Sequence, residues 1–313
     1  MSLPICRRCF IRTALAATAA AATESVSAKP PRSLRLGFTV WRIGGILDFE
    51  RQVEWVANAG SESISFHASA GVPGKWRGIE PATADAEQRK RIRRLLARFA
   101  GCEIHAPFDA VLRPETPEPI LKRLEEVVTF AGDVGAVIVT VHVEAPRPQA
   151  PEAAWQKALD RLDAAVAKAG VRIGLEFNNG FEWLRQPRRK RIGATLDVGH
   201  MYLRDGAGYR PYGSIGRLAR TLGDVLFHLH VHDYDGKADH IEIGTGRVDF
   251  DDLLEALAAL AYRGALCLEL NPDRCPPDGI RRSAAFLRQH AHTRAAPSTS
   301  GRAQNQVLIG KLP

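Results

Sequence analysis

The chain is poor in cysteine, in long apolar runs and in internal repeats, and each shortage removes a class of protein. Five cysteines in 313 residues are too few for a disulfide framework. Cys6 and Cys9 lie beside paired arginines near the start, and Cys102, Cys267 and Cys275 form no CxxC pair. No uninterrupted apolar run reaches the roughly 18–20 residues that cross a bilayer, so integral membrane association is not expected. No motif recurs at a period of about 20–50 residues, which excludes solenoids and propellers. What is present is 45% hydrophobic and 25% charged residues, enough to build a large core and far from a disordered composition. Lys and Arg number 43 against 35 Asp and Glu, a net charge of +8. That balance permits contact with anionic partners, and the position of the charge decides whether it is used.

Residues 1–28 read as an address. Arg7, Arg8 and Arg12 form a basic region, an Ala-rich stretch runs from Thr13 to Thr23, and Val26-Ser27-Ala28 offers small residues for cleavage. The adjacent arginines followed by Phe10 and Ile11 resemble a twin-arginine export signal, which implies a periplasmic or secreted protein. Residues 293–313, rich in Ser, Thr, Ala, Gly and Gln, are expected to be a disordered tail.

Between these ends, short apolar strands alternate with amphipathic helices. Strands are expected at Leu34–Trp41, Ser63–His67, Glu103–Ala106, Ala136–Val143, Arg172–Phe177, Ile192–Asp197, Val225–Val231 and Ala265–Leu270. Helices are expected near 48–59, 85–100, 117–134, 152–169, 212–222, 250–261 and 279–289, with a short helical piece at Phe181–Leu184. Eight strands with intervening helices over residues 29–292 predict an α/β fold, a single-domain (β/α)8 TIM barrel. An open doubly wound sheet would show a Gly-rich phosphate fingerprint after its first strand; Gly44-Gly45 lacks that spacing.

Functional groups of such a barrel gather where strands end. Those positions hold His67, His105, His142, Glu176, Asp197, His230 and Glu269. Charged residues are rarely buried without a partner, and a shared cation accounts for three carboxylates among histidines more economically than three separate ion pairs. His67 reads as a pocket histidine or a satisfied strand-end residue. Trp41, Phe66, Trp76 and Trp183 stand at or beyond strand ends, available either to stack on a ligand or to pack the core.

Several motifs resemble the sugar phosphate isomerase/epimerase superfamily, the xylose-isomerase-like TIM barrels related to metal-dependent apurinic-site endonucleases. They are Leu175-Glu176, Leu196-Asp197-Val198-Gly199-His200, His228-Leu229-His230-Val231-His232-Asp233, the stretch His240 to Phe250, and Leu268-Glu269-Leu270. The resemblance covers Leu34 to His290. It implies one divalent ion (Mn, Mg, Co or Zn) held by Glu176, Asp197, His230 and Glu269, with His228 and His232 standing behind the ligands or exchanging places with His230. It also implies that Glu176 and Glu269 move a proton beside a carbonyl, through a metal-stabilised enediolate, in an isomerase or epimerase of a sugar or polyol. A dehydratase or keto-sugar lyase would use the same site.

The segment Glu176 to Leu184 is similar to one in ketose 3-epimerases, which implies that Glu182 and His200 contact sugar hydroxyls; an exposed charge is the alternative for Glu182. Those epimerases place an arginine six residues beyond the ligand histidine, where this chain has Gly236. His105, His142 and His240 resemble positions that bind further zinc ions in the endonuclease branch and line the substrate site in sugar-acting members. The endonuclease pattern also needs an aspartate where Ala238 stands, with Asp239 one residue late. A phosphodiesterase acting on nucleic acid is therefore the alternative of another class. The basic runs Arg185 to Arg191 and Arg89 to Arg98 fall on the amino face and on an outer helix, so no nucleic-acid partner is expected. The expected partner is a small carbohydrate, with a homodimer as a further possibility.

Overall fold

The computed structural model describes residues 35–40, 43, 48–144, 152–184 and 189–295, with the backbone alone at 182, 183 and 292–295. The expected export signal, Trp41, Gly44, Gly45, Arg185, Arg188 and the tail beyond Ala295 lie outside the described residues, as do the side chains of Glu182 and Trp183.

Eight parallel strands close into a barrel in chain order: β1 (Arg35–Val40), β2 (Ser63–His67), β3 (Gly101–His105), β4 (Ile138–His142), β5 (Arg172–Glu176), β6 (Ile192–Asp197), β7 (Leu226–Val231) and β8 (Ala265–Leu268). The helices are α1 (Phe49–Asn58), α2 (Ala86–Leu96), α3 (Glu118–Val134), α4 (Glu152–Ala169), the single turn α5 (Leu203–Gly206), α6 (Ile215–Leu222), α7 (Phe250–Ala259) and α8 (Pro277–Ala295). The expected single-domain (β/α)8 barrel is the observed fold. Helix α8 runs on to Ala295, slightly beyond the boundary expected for the tail. Among the described residues no helix is long and apolar enough to cross a membrane.

Local chemistry starts these helices where the sequence predicts. Asp48 accepts from the Arg51 amide at 2.9 Å and Asp85 from the Gln88 amide at 2.8 Å. Ser214 and Asp249 do the same for α6 and α7. Each such cap is worth about 0.5–2 kcal/mol.

The two faces of the strands differ completely. Alternation sends Ile64, Phe66, Ile104, Val139, Val141, Ile173, Leu175, Leu196, Leu229 and Leu266 into the layer under the helices, where all are buried. Phe66 packs against Phe49 of α1, ring centroids 5.0 Å apart, and Phe130 of α3 at 6.4 Å. It is a core residue, which removes it from the ligand-stacking candidates. The inward face is polar: Thr39 Oγ1 lies 3.3 Å from Cys267 Sγ, and Thr140 Oγ1 lies 2.9 Å from Thr195 Oγ1. Barrel interiors are ordinarily filled by branched aliphatic residues. Here small polar residues leave room for the histidines and carboxylates above them.

Among the described residues, the basic runs pair with carboxylates of neighbouring elements. On α2, Arg89 pairs with Asp133 and Arg91 with Glu50, each at 2.6 Å; Arg189 pairs with Asp160.

Candidate metal centre

Strand register brings the expected residues to one level of the barrel mouth. His142 pairs with Glu176 across β4 and β5, and Asp197 with His230 across β6 and β7. His230 is central: its Nδ1 lies 3.0 Å from Glu269 Oε2 and 3.5 Å from Glu176 Oε2. Glu176 Oε2 also faces His105 Nε2 at 3.5 Å and His142 Nε2 at 3.6 Å. Ligand atoms of Asp197, His230 and Glu269 lie within 4.8 Å of one another, as do those of His105, Glu176 and His230. The four residues expected as ligands, on β5, β6, β7 and immediately after β8, thus fall in two overlapping groups that share His230.

A second group adjoins the first through Asp197. Its Oδ1 lies 2.9 Å from His232 Nε2 and accepts from the His200 amide at 3.0 Å, while Oδ2 faces His200 Nδ1 at 3.0 Å. The His232 ring stacks on that of His240, centroids 3.9 Å apart, and His232 Nδ1 accepts from the His240 amide at 2.8 Å. His240 adopts φ +52, a conformation costly for a residue with a Cβ and held where surroundings over-determine it. Gly199 is needed here for space: a Cβ on it would lie 2.1 Å from His232 Cε1. The aspartate that closes the His228-to-Asp233 motif is a loop organiser. Asp233 Oδ2 accepts from the amides of Gly244 and Gly246, both at 2.9 Å, and Oδ1 from those of Tyr234 and Val248 at 2.8 and 3.1 Å. That carboxylate shapes the β7–α7 loop carrying His240.

Burial would raise the carboxyls of Glu176 and Asp197, but the surrounding histidines hold both well below the usual carboxylate range. Against the same burial, His230 chiefly holds Glu269 down to about 2. Burial would lower the imidazoles, yet Glu269 and Glu103 hold His230 well above its ordinary value, and Asp197 pushes His200 up to about 11. At two neighbouring imidazoles burial outweighs the carboxylates: His67 is pushed down to about 3 and His142 is lowered. At neutral pH, the carboxylates of this mouth are ionised and balanced by imidazolium protons.

The donor set fits a divalent cation in the protons' place. Glu176 Oε2, Asp197 Oδ2 and His230 Nδ1 are buried and make no hydrogen bond, although they approach their neighbours to 3.0–3.6 Å. Leaving such an atom unsatisfied costs about 1–3 kcal/mol. Approach without hydrogen-bond alignment is the geometry of groups aimed at a common centre. Three carboxylates and one imidazole suit Mg²⁺, Mn²⁺, Co²⁺ or Zn²⁺.

Sequence patterning overlooked three residues beside this centre. Glu103 of β3 is 1% exposed and its Oε1 lies 3.1 Å from His230 Nε2. Its signal was available: alternation puts Glu103 on the same side of the strand as His105. Asp239, dismissed as one residue late, lies 3.2 Å from His240 Nδ1 and also pairs with Arg274. Arg247 is brought to Gly236 by the loop: a Cβ on that glycine would fall 2.5 Å from Arg247 Cζ, so a guanidinium stands beside the position where the epimerase pattern has its arginine.

A sequence profile of the xylose isomerase-like TIM barrel family matches residues 53–290. The chain belongs to that family. Within the xylose isomerase-like barrels, it is 30% identical over 130 residues to the D-psicose 3-epimerase of Ruminiclostridium cellulolyticum, covering 37% of this chain and 41% of that protein. It is 26% identical over 195 residues to the uncharacterized protein MJ1311 of Methanocaldococcus jannaschii, covering 53% and 63%. The match therefore spans less than two thirds of either relative. A crystal structure of a D-tagatose 3-epimerase-like protein superposes with TM-score 0.63 at 18% identity, covering 83% of this chain and 98% of that one, a likeness of fold.

Proposed function

We propose that this protein is a divalent-metal-dependent isomerase or epimerase of a sugar or polyol, with Glu176 and Glu269 as its proton-transferring groups. The observation that carries the reading is that Asp197, His230 and Glu269 form one group and Glu176 joins it through His230, with buried atoms of Glu176, Asp197 and His230 making no hydrogen bond. Family membership and the partial match to a D-psicose 3-epimerase support it. A divalent cation held by these four residues supplies the positive charge that acidifies a carbon-bound proton next to a carbonyl. An ionised carboxylate is an acceptor only, so Glu176 and Glu269 are each in the state that takes up a proton at neutral pH. They reach His230 Nδ1 from the ends of different strands of the closed barrel. The one that takes the proton from carbon becomes the acid that can give it back, and return to the opposite face requires the other to have first taken up a proton from solvent. Return to the opposite face of the same carbon inverts a stereocentre; return to the neighbouring carbon moves a carbonyl.

His105 and His142, both in contact with Glu176, and His200 and His240, at the other side of Asp197, are the side chains we assign to the substrate hydroxyls. Trp76 and Phe108 pack at 6.0 Å beside His67, and Phe108 remains 44% exposed at this rim. The export signal expected from Arg7 and Arg8 belongs to the same reading and favours a free sugar or glycoside over a phosphorylated one.

The test is metal content of the purified chain together with deuterium uptake from D2O by free ketoses, aldoses and keto-glycosides, with Glu269→Gln alongside. One ion per chain and exchange lost in the variant are expected. Elimination products in place of exchanged sugar would replace the isomerase reading with a lyase. Two or more ions, with the second lost on changing His200 or His240, would turn the reading towards a phosphodiesterase. A wild-type chain that takes up no ion would end it.

A further inference from the structure

We propose that Glu103 is a positioning residue: from below the mouth it fixes the His230 ring so that Nδ1 presents its lone pair to the proposed cation. The inference rests on the metal-dependent reading above and concerns a residue which that reading does not use. Glu103 sits on β3 and His230 on β7, strands that are not neighbours, so their contact crosses the barrel interior. Glu103 Oε1 lies 3.1 Å from His230 Nε2, and Oε2 lies 3.4 Å from His228 Nε2. His230 Nδ1 faces the other way, 3.0 Å from Glu269 and 3.5 Å from Glu176. The single imidazole thus spans two groups of carboxylates, one in the mouth and one beneath it.

A neutral imidazole carries one ring proton, and the placement of that proton decides which nitrogen can hold a metal. An ionised carboxylate at Nε2 can only accept, so it retains the proton on Nε2 and leaves Nδ1 with its lone pair towards Glu176 and Glu269. Without that acceptor, the proton sits equally well on Nδ1, donated to Glu269, and the lone pair then points down the barrel. Glu103 sets the competent tautomer. His228 Nε2 stands 3.4 Å from the second carboxylate oxygen without a hydrogen bond to it, so the aligned contact of Glu103 is the one to His230. A carboxylate partner for a ligand histidine orients the ring and raises its basicity.

Packing alone does not explain the residue. Glu103 is 1% exposed and stands in register with Ser65 of β2 and Ile138 of β4, neither of them charged. A buried charge is expensive unless partnered, and a threonine would fill this layer without that cost.

The experiment compares wild type, Glu103→Gln and Glu103→Asp by Mn²⁺ titration calorimetry and by thermal melting with and without Mn²⁺. The glutamine keeps volume and an acceptor oxygen but removes the charge; the aspartate keeps the charge and shortens the reach. We expect Glu103→Gln to melt somewhat below the wild-type temperature when metal-free, because His230 and His228 lose a buried counter-charge, while its Mn²⁺ dissociation constant rises about 10–100-fold and the Mn²⁺-induced rise in Tm shrinks accordingly. Glu103→Asp should recover part of the affinity and serves as the second variant if glutamine impairs folding. Unchanged Mn²⁺ affinity in both variants would overturn the proposal and leave the metal-dependent reading standing. Two ions in wild type and one in Glu103→Gln would overturn it differently, making Glu103 a ligand. A wild-type chain that binds no Mn²⁺ would overturn both readings.

Discussion

The outer and inner faces of the same eight strands are made of opposite chemistry. Ile64, Phe66, Ile104, Val141, Leu175 and Leu229 point towards the helices and are fully buried. One residue away along each strand, Ser65, Glu103, His105, Thr140, Glu176 and His230 point inward and are also buried. Burial is equal, so burial does not separate core from site; the partner does. Outward residues meet aliphatic and aromatic groups and stabilise the fold by leaving water. Inward residues meet one another, and several carry buried atoms with no hydrogen bond. Period-two alternation lets one strand hold a stabilising face and a costly face back to back, with the first offsetting the second.

The comparison can be broken by substitution on either face. On the inner face, Glu176→Gln is expected to lower kcat by about 10²–10⁴-fold in a sugar-exchange assay while lowering the metal-free melting temperature only by the share its carboxylate contributes against the histidines. On the outer face, Phe66→Ala should do the reverse, costing about 3–5 kcal/mol in denaturant unfolding while the folded fraction retains its metal stoichiometry. Gly199→Ala falls between the two. Its new Cβ would meet the His232 ring at 2.1 Å, so the ring must move off Asp197. Overpacking of about 1–3 kcal/mol should appear together with weaker Mn²⁺ binding.

Acid and base sharpen the contrast further, because only the inner face titrates. Asp197 and Glu176 are held below their ordinary values of 3.8 and 4.5, so the stability they contribute to the metal-free protein is present above those values and lost as pH falls through the lower folded-state ones. His200 is raised from 6.5 to about 11; its contribution is complete below 6.5 and lost as pH rises towards 11. Metal-free Tm should therefore decline on both sides of a maximum near pH 5–6.5, and His200→Gln should flatten the alkaline side. The smallest effect is expected at the outer surface. Arg91→Ala breaks an ion pair whose side chains are 63% and 37% exposed, and unfolding should register less than about 1 kcal/mol.

Strand ends were readable because a carboxylate or imidazole closing an apolar run contradicts its surroundings. Glu176, Asp197, His230 and Glu269 stand out on that ground, and the barrel carries all four to one level. Glu103 was not readable in the same way. It lies inside a strand, and although alternation puts it on the side of His105, its partner His230 is fixed only when β7 closes opposite. Asp239 was misjudged because spacing alone was counted, whereas the loop turns through His240 at φ +52 and brings that aspartate to His240 and Arg274. Asp233 was read as part of a ligand motif and proved to be the acceptor for four loop amides.

By itself the sequence determined the order of elements, the barrel and the level at which chemistry collects, since periodicity and capping are local properties that neighbouring residues settle among themselves. The tertiary structure alone decided which histidine faces which carboxylate, that Glu103 supports His230 from below, and that Gly199 must lack a side chain. Those relations join residues far apart in the chain, and their distances are defined only once the barrel closes.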